Sequence, residues 1–291
     1  MKRYLNLLCL SAVILAISCA GKYRMTPLAA AVKAQLPHIE ADQRIELMEG
    51  TPYQTPAFIF DSGKKGPAVL IIGGTHGNEP AGYEAALRLL TRFREKRPQK
   101  GKIILIPLAN RLAIENYSRR IPVPKGVDRE RGNLNRCYPG KPDGYPMEQM
   151  AFHIQQLAIT HQVEVFIDLH EALRSHLKTD WESSEKGLGQ TIIYFPNEPS
   201  SWLVMMMLDQ INSRIADENI RFSSLERPIM NSAAWWAGKY LDCAAFTFET
   251  ARRLPLDTRI NHHLMLVDIV LAEKGLWESG MRKEDGGKEQ Y

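Results

Sequence analysis

Ala68-Val-Leu-Ile-Ile-Gly-Gly74 is a continuous apolar run stopped by two glycines. Such a run suits a strand buried on both faces, the situation of a parallel sheet covered by helices. Helical spacing follows over residues 79–93, with Tyr83, Leu87 and Leu90 on one side. The alternation then repeats. Residues 102–107, 163–169, 192–195 and 244–249 read as further strands, and 147–160, 201–216 and 257–272 as amphipathic helices. Strands alternating with helices predict an α/β fold, a three-layer sandwich around a mixed, largely parallel central sheet. The stretch 116–145, rich in Arg, Pro and Gly and without apolar periodicity, is expected to be a long surface loop, and loops of that length usually carry function. One domain over residues 40–277 accounts for the pattern, followed by a polar tail at 278–291 expected to be flexible.

The chain has 291 residues, 44% hydrophobic and 24% charged, with 37 Lys+Arg against 33 Asp+Glu. This is globular composition, and it excludes disordered, collagen-like and polytopic membrane classes. The balance of +4 contains no dense basic block, so no nucleic-acid partner is expected. The first residues differ in kind. Lys2 and Arg3 precede an apolar run from Leu7 to Ile17, which leads into Ser18-Cys19-Ala20-Gly21. The run is shorter than the ~20 residues that cross a bilayer, and it reads as a signal peptide over 1–18. Its end resembles a bacterial lipobox, with Cys19 as the lipidation site and 19–39 as a tether leading into the fold; residues 28–36 could form a short helix there. Simple cleavage or an uncleaved anchor is the alternative. The expected address is the bacterial cell envelope, with the membrane met through the lipid. Cys137 and Cys243 would then remain, paired in an oxidising compartment or as two buried thiols.

Four segments carry chemistry. In Gly73-Gly-Thr-His76-Gly-Asn-Glu79-Pro80, an imidazole and a carboxylate stand three apart where a strand gives way to a helix, and both are suitable zinc ligands. That spacing alone is common by chance. His170 in Val165-Phe-Ile-Asp168-Leu-His170-Glu171 ends an apolar strand, the place where open α/β sheets bind ligands. With His76 and Glu79 it completes a His2Glu set, the pattern of a catalytic zinc site for one ion. Asp168 shares a strand face with His170 by the period of two. Ala244-Ala-Phe-Thr-Phe-Glu249 ends a strand in a carboxylate that is costly to bury without a partner, and that could move a proton beside a metal. Asn135-Arg136, in the long loop, offers an amide and a guanidinium fork suited to a substrate carboxylate. Trp235 and Trp236 could line a pocket or simply pack.

Taken in order, GGTHGNEPAG, IPLAN followed by GNLNRCYPG, DLHEA and FTFET resemble the zinc carboxypeptidase superfamily, most closely its succinylglutamate desuccinylase/aspartoacylase branch. The resemblance runs over about residues 66–252. It implies that His76, Glu79 and His170 bind Zn2+, that Asn135 and Arg136 hold a substrate carboxylate, and that Glu249 is the general base and acid. It also implies an arginine that stabilises the oxyanion; Arg129 and Arg120 both fit, with Arg129 preferred. The activity implied is hydrolysis of an amide near a free carboxylate, in a small N-acyl amino acid or, given the envelope address, in cell-wall peptides.

Two departures from the family pattern stand out. Asn133 occupies the place of an aspartate that often supports the first zinc histidine, which opens the alternative of a binding lipoprotein that has lost its chemistry. Only 42 residues follow Glu249, too few for the β-rich second domain of members that act on small acyl amino acids.

Overall fold

The computed structural model describes Leu36, residues 40–176 and residues 187–277. The expected signal peptide, Cys19, nearly all of the tether and the C-terminal tail lie outside the described residues. Eight strands form one sheet: β1 (Gln43–Leu47), β2 (Thr55–Asp61), β3 (Ala68–Gly73), β4 (Lys102–Ile106), β5 (Val165–Ala172), β6 (Thr191–Tyr194), β7 (Ser223–Leu225) and β8 (Ala244–Ala251). Among the described residues six α-helices accompany them: α1 (Pro80–Glu95), α2 (Arg111–Glu115), α3 (Pro146–Thr160), α4 (Glu198–Asn212), α5 (Ala233–Tyr240) and α6 (Leu256–Glu273). The spatial order is β1-β2-β4-β3-β5-β8-β6-β7. At its centre β4, β3, β5 and β8 run parallel, while β1, β2 and β6 join antiparallel to their inner neighbours.

The pleat sorts each central strand between two apolar layers. Val69, Ile71, Val165, Ile167, Phe246 and Phe248 face α1, α4 and α6. Leu70, Ile72, Phe166 and Ala245 face α3, α5 and part of the long loop. This is the expected three-layer sandwich. Phe246 and Phe248 have no solvent exposure, and such side chains contribute roughly 1.5–3 kcal/mol each, so β8 is held firmly in the middle of the sheet.

Chain order places the site. From β3 the chain passes through α1 to β4 on one side, then through α3 to β5 on the other side of β3. The carboxyl ends of β3 and β5 therefore flank a topological switch point, where a crevice opens. The turn after β3 requires Gly74, whose φ of +74° suits a residue without a side chain. Pro80 then opens α1 at a position where no backbone donor is needed.

Three strands and two helices were not legible as such. β1 and β7 carry no continuous apolar run; β2 does carry one, Ala57-Phe-Ile-Phe60, but it is short and follows Pro56; α2 is a single five-residue turn, and Trp235-Trp236 sits inside α5, capped by Ser232. The long loop also differs from a surface excursion. Asn133 to Cys137 is buried apart from Arg136, and Tyr138 packs on Trp236. Cys137 and Cys243 are free, buried thiols, and burial pushes each up to about 12.

Gly82 tests the closeness of α1 to β5. A Cβ there would lie 2.4 Å from the Leu169 carbonyl oxygen, so the helix would have to move. Gly82→Ala is expected to lower stability by ~1–3 kcal/mol, read as the denaturant midpoint. An unchanged midpoint would contradict this packing.

Candidate active site

Glu79, the residue before α1, points its carboxylate inward with 2% exposure. His76 Nδ1 lies 2.9 Å from its Oε1 and His170 Nδ1 lies 3.0 Å from its Oε2. The Glu171 backbone N–H donates to Oε2 at 3.1 Å. The two imidazoles meet edge to face, with centroids 4.7 Å apart. Ligand atoms of His76, Glu79 and His170 lie within 4.8 Å of one another, all buried. Two imidazoles and a carboxylate are a donor set that can hold a divalent metal.

Each imidazole has a polar group behind it, as ligating histidines commonly do. His170 Nε2 stands 2.8 Å from Asp168 Oδ2, an ion-pair contact that is off the line of a hydrogen bond, and Asp168 Oδ1 accepts from the Thr75 hydroxyl at 2.8 Å. His76 Nε2 stands 2.9 Å from Asn133 Oδ1, so the amide occupies the supporting place that a carboxylate would otherwise take. These surroundings separate the two rings electrostatically. Burial lowers the pKa of His76 despite Glu79. Burial disfavours charge on His170 as well, but Asp168 and Glu79 together hold its pKa well above the ordinary value. For Glu79, burial would raise the pKa, and both histidines outweigh it.

Glu249 is the register partner of His170 on the adjoining parallel strand, so both side chains project from the same face of the sheet. Its Oε2 is buried without a hydrogen-bond partner. Burial pushes the carboxyl up to about 8, with His170 opposing and Glu79 reinforcing the shift.

The loop supplies the cationic side. Asn135 Oδ1 accepts from the Ala233 backbone at the start of α5, which fixes the amide plane. Arg136 is half-buried, donates to the Asn135 carbonyl at 2.7 Å, and has its pKa lowered by burial and by the nearby charges of Arg119 and Arg120. The structure does not bring Arg129 to the cluster. Its side chain is exposed, and among the described residues no hydrogen bond or ion pair joins it to His76, Glu79, His170 or Glu249. Arg120 pairs with Glu130 instead. Arg119, half-buried, donates to Glu79 Oε1 at 3.0 Å, and Arg252 stands 3.5 Å from the same oxygen. Sequence reasoning missed both, because position within an aperiodic loop or beyond a strand end carries no facing information. It also missed Glu171, which accepts from the Ala81 N–H at 3.0 Å and pairs with Arg259, tying the start of α1 to β5 and α6.

Residues 65–184 match the family model of the succinylglutamate desuccinylase/aspartoacylase catalytic domain. Over 133 residues the chain is 32% identical to the N-alpha-acetyl-L-2,4-diaminobutyric acid deacetylase of Halomonas elongata, covering 43% of this chain and 36% of that protein. Among solved structures it is similar to the cell shape determinant protein Csd4 of Helicobacter pylori, with a TM-score of 0.60 and 17% identity over 80% of this chain and 55% of that one. Csd4 is described as a D,L-carboxypeptidase. An aspartoacylase family protein from Mesorhizobium loti matches with a TM-score of 0.59 and 22% identity, over 81% of this chain and 67% of that one. The chain thus spans about a third of the deacetylase and just over half of Csd4. The resemblance read from the motifs is borne out, and the structural likeness shows a shared carboxypeptidase-like fold.

The cluster predicts one tightly bound divalent ion per chain. Adding zinc to chelator-stripped protein should raise the thermal midpoint, because an ion bound only by the folded state stabilises it. Glu79→Gln should remove most of that rise. Equal stabilisation of both proteins would place the ion elsewhere.

Proposed function

We propose that this chain, whose residues 65–184 match the succinylglutamate desuccinylase/aspartoacylase catalytic domain, is a zinc-dependent hydrolase that cleaves an amide bond beside a free carboxylate, a deacylase of small N-acyl amino acids. The observation that carries this reading is the buried His76–Glu79–His170 set with Glu249 in register beside His170. Zinc held by those three residues would polarise the scissile carbonyl and acidify an attacking water.

The remaining work falls to side chains. Arg136, with Asn135 beside it, takes the substrate carboxylate in a guanidinium fork and so sets which bond reaches the centre. Glu249 takes the proton of the attacking water as the new C–O bond forms. It then delivers that proton to the departing nitrogen as the C–N bond breaks, the same carboxyl serving as base and then as acid. Arg119, rather than Arg129, stands where it can share the charge that develops on the carbonyl oxygen.

The second reading is a carboxypeptidase or amidase acting on cell-wall peptides. The export-type leader ending at Cys19 supports it, as does the likeness to Csd4. In either case we place the protein in the bacterial envelope as a lipid-anchored form, on the strength of Leu7 to Ile17 and the lipobox-like ending.

Zinc-loaded protein offered a mixed panel of N-acyl amino acids and wall peptides should release free amino acid from the former, seen by mass spectrometry. Glu249→Gln should lower turnover by ~10²–10⁴-fold with zinc still bound. Undiminished turnover would remove Glu249 from the mechanism. Release from wall peptides alone would favour the second reading, and silence on both substrates would favour a binding lipoprotein.

A further inference from the structure

His76 is backed by a neutral amide where His170 is backed by a carboxylate. The contacts around that amide link it to a charged group, the carboxylate of Glu130. Asn133 Oδ1 accepts from the backbone N–H of Asn135 at 3.2 Å, a group that can only donate. Asn133 Nδ2 donates at 2.7 Å to Glu130 Oε2, a group that accepts when ionised. Both partners fix the same orientation of the amide, since a flip would turn nitrogen toward N–H and oxygen toward carboxylate. The oxygen therefore faces His76 Nε2, which must carry the proton, and Nδ1 keeps its lone pair for the metal side.

Glu130 is itself anchored. Arg120 pairs with its Oε1, its backbone N–H donates to Asp128 Oδ1 at 3.0 Å, and its carbonyl accepts from the Asn133 N–H at 3.0 Å. A hydrogen bond from an amide to a carboxylate polarises that amide and makes its oxygen a better acceptor.

We infer that Glu130 is a positioning residue for the metal centre, supplying through Asn133 the negative charge that supports His76. This rests on His76 being a metal ligand, as proposed above. Asn133 is thereby a compensated position rather than a lost one. An aspartate at this position would face Glu130 with a second carboxylate at the place where Nδ2 now donates.

The test is a swap, read as zinc and cobalt dissociation constants against a chromophoric chelator, with the unfolding midpoints of the metal-free proteins measured alongside. Glu130→Gln is expected to weaken binding about tenfold, the lower end for a partner behind a metal ligand. Asn133→Asp alone should also weaken it, because two carboxylates meet. The double variant Asn133→Asp/Glu130→Gln should return to within about threefold of the parent, since the glutamine amide now donates to a carboxylate that supports His76 directly. Single variants that bind like the parent would overturn the inference. So would Asn133→Asp binding more tightly than the double variant, or losses that follow the metal-free midpoints without recovery in the swap. A parent protein that takes up no metal would overturn the proposed function first, and this inference with it.

Discussion

The Glu79 carboxylate, sealed from water at the start of α1, is approached by two imidazoles, one backbone N–H and the guanidinium of Arg119. A buried charge is tolerated only when it is paired and hydrogen-bonded. Glu79 meets that condition by drawing together groups from three separate parts of the chain: the turn after β3, the end of β5 and the long loop. The donor set is consequently arranged by the fold. Glu171 and Arg259 secure the same corner from behind, so α1 cannot drift from β5 without breaking the buried hydrogen bond from the Ala81 N–H to Glu171, and α6 cannot without breaking the Glu171–Arg259 ion pair.

The parallel register of β5 and β8 does the rest. Because His170 and Glu249 are opposite each other on adjacent strands, the Glu249 carboxyl is held at the edge of the cluster by main-chain hydrogen bonds rather than by a loop. The loop contributes the groups proposed to meet the substrate, and it too is anchored, by Asn135 on α5 and by Leu134, Cys137 and Tyr138 in the core. On the proposed reading, rigid elements hold the reacting groups and a half-buried loop carries recognition.

What was legible in the sequence follows from how each signal arises. The central strands announce themselves because burial on both faces forces unbroken apolar runs, and residues just past those runs, His76, Glu79, His170 and Glu249, inherit a known place at the switch point. Edge strands are exposed on one side and short, so β1 and β7 leave no such trace. Arg119, Arg120 and Arg129 lie in a stretch without periodicity, where nothing in the sequence marks which guanidinium faces the cluster, and the chain turns Arg119 toward Glu79. The Asn133 contact with His76 could be anticipated from its place in the motif. Its link to Glu130 could not, because only the turn geometry brings the two side chains together.

Two imidazoles and one carboxylate from this cluster are proposed to bind a single zinc ion. X-ray absorption at the zinc edge on the reconstituted protein measures that directly. The expected result is a shell of nitrogen and oxygen near ~2.0–2.1 Å with the outer-shell signature of two imidazoles and no sulfur. A zinc–sulfur distance near ~2.3 Å, or a shell without imidazole, would contradict it.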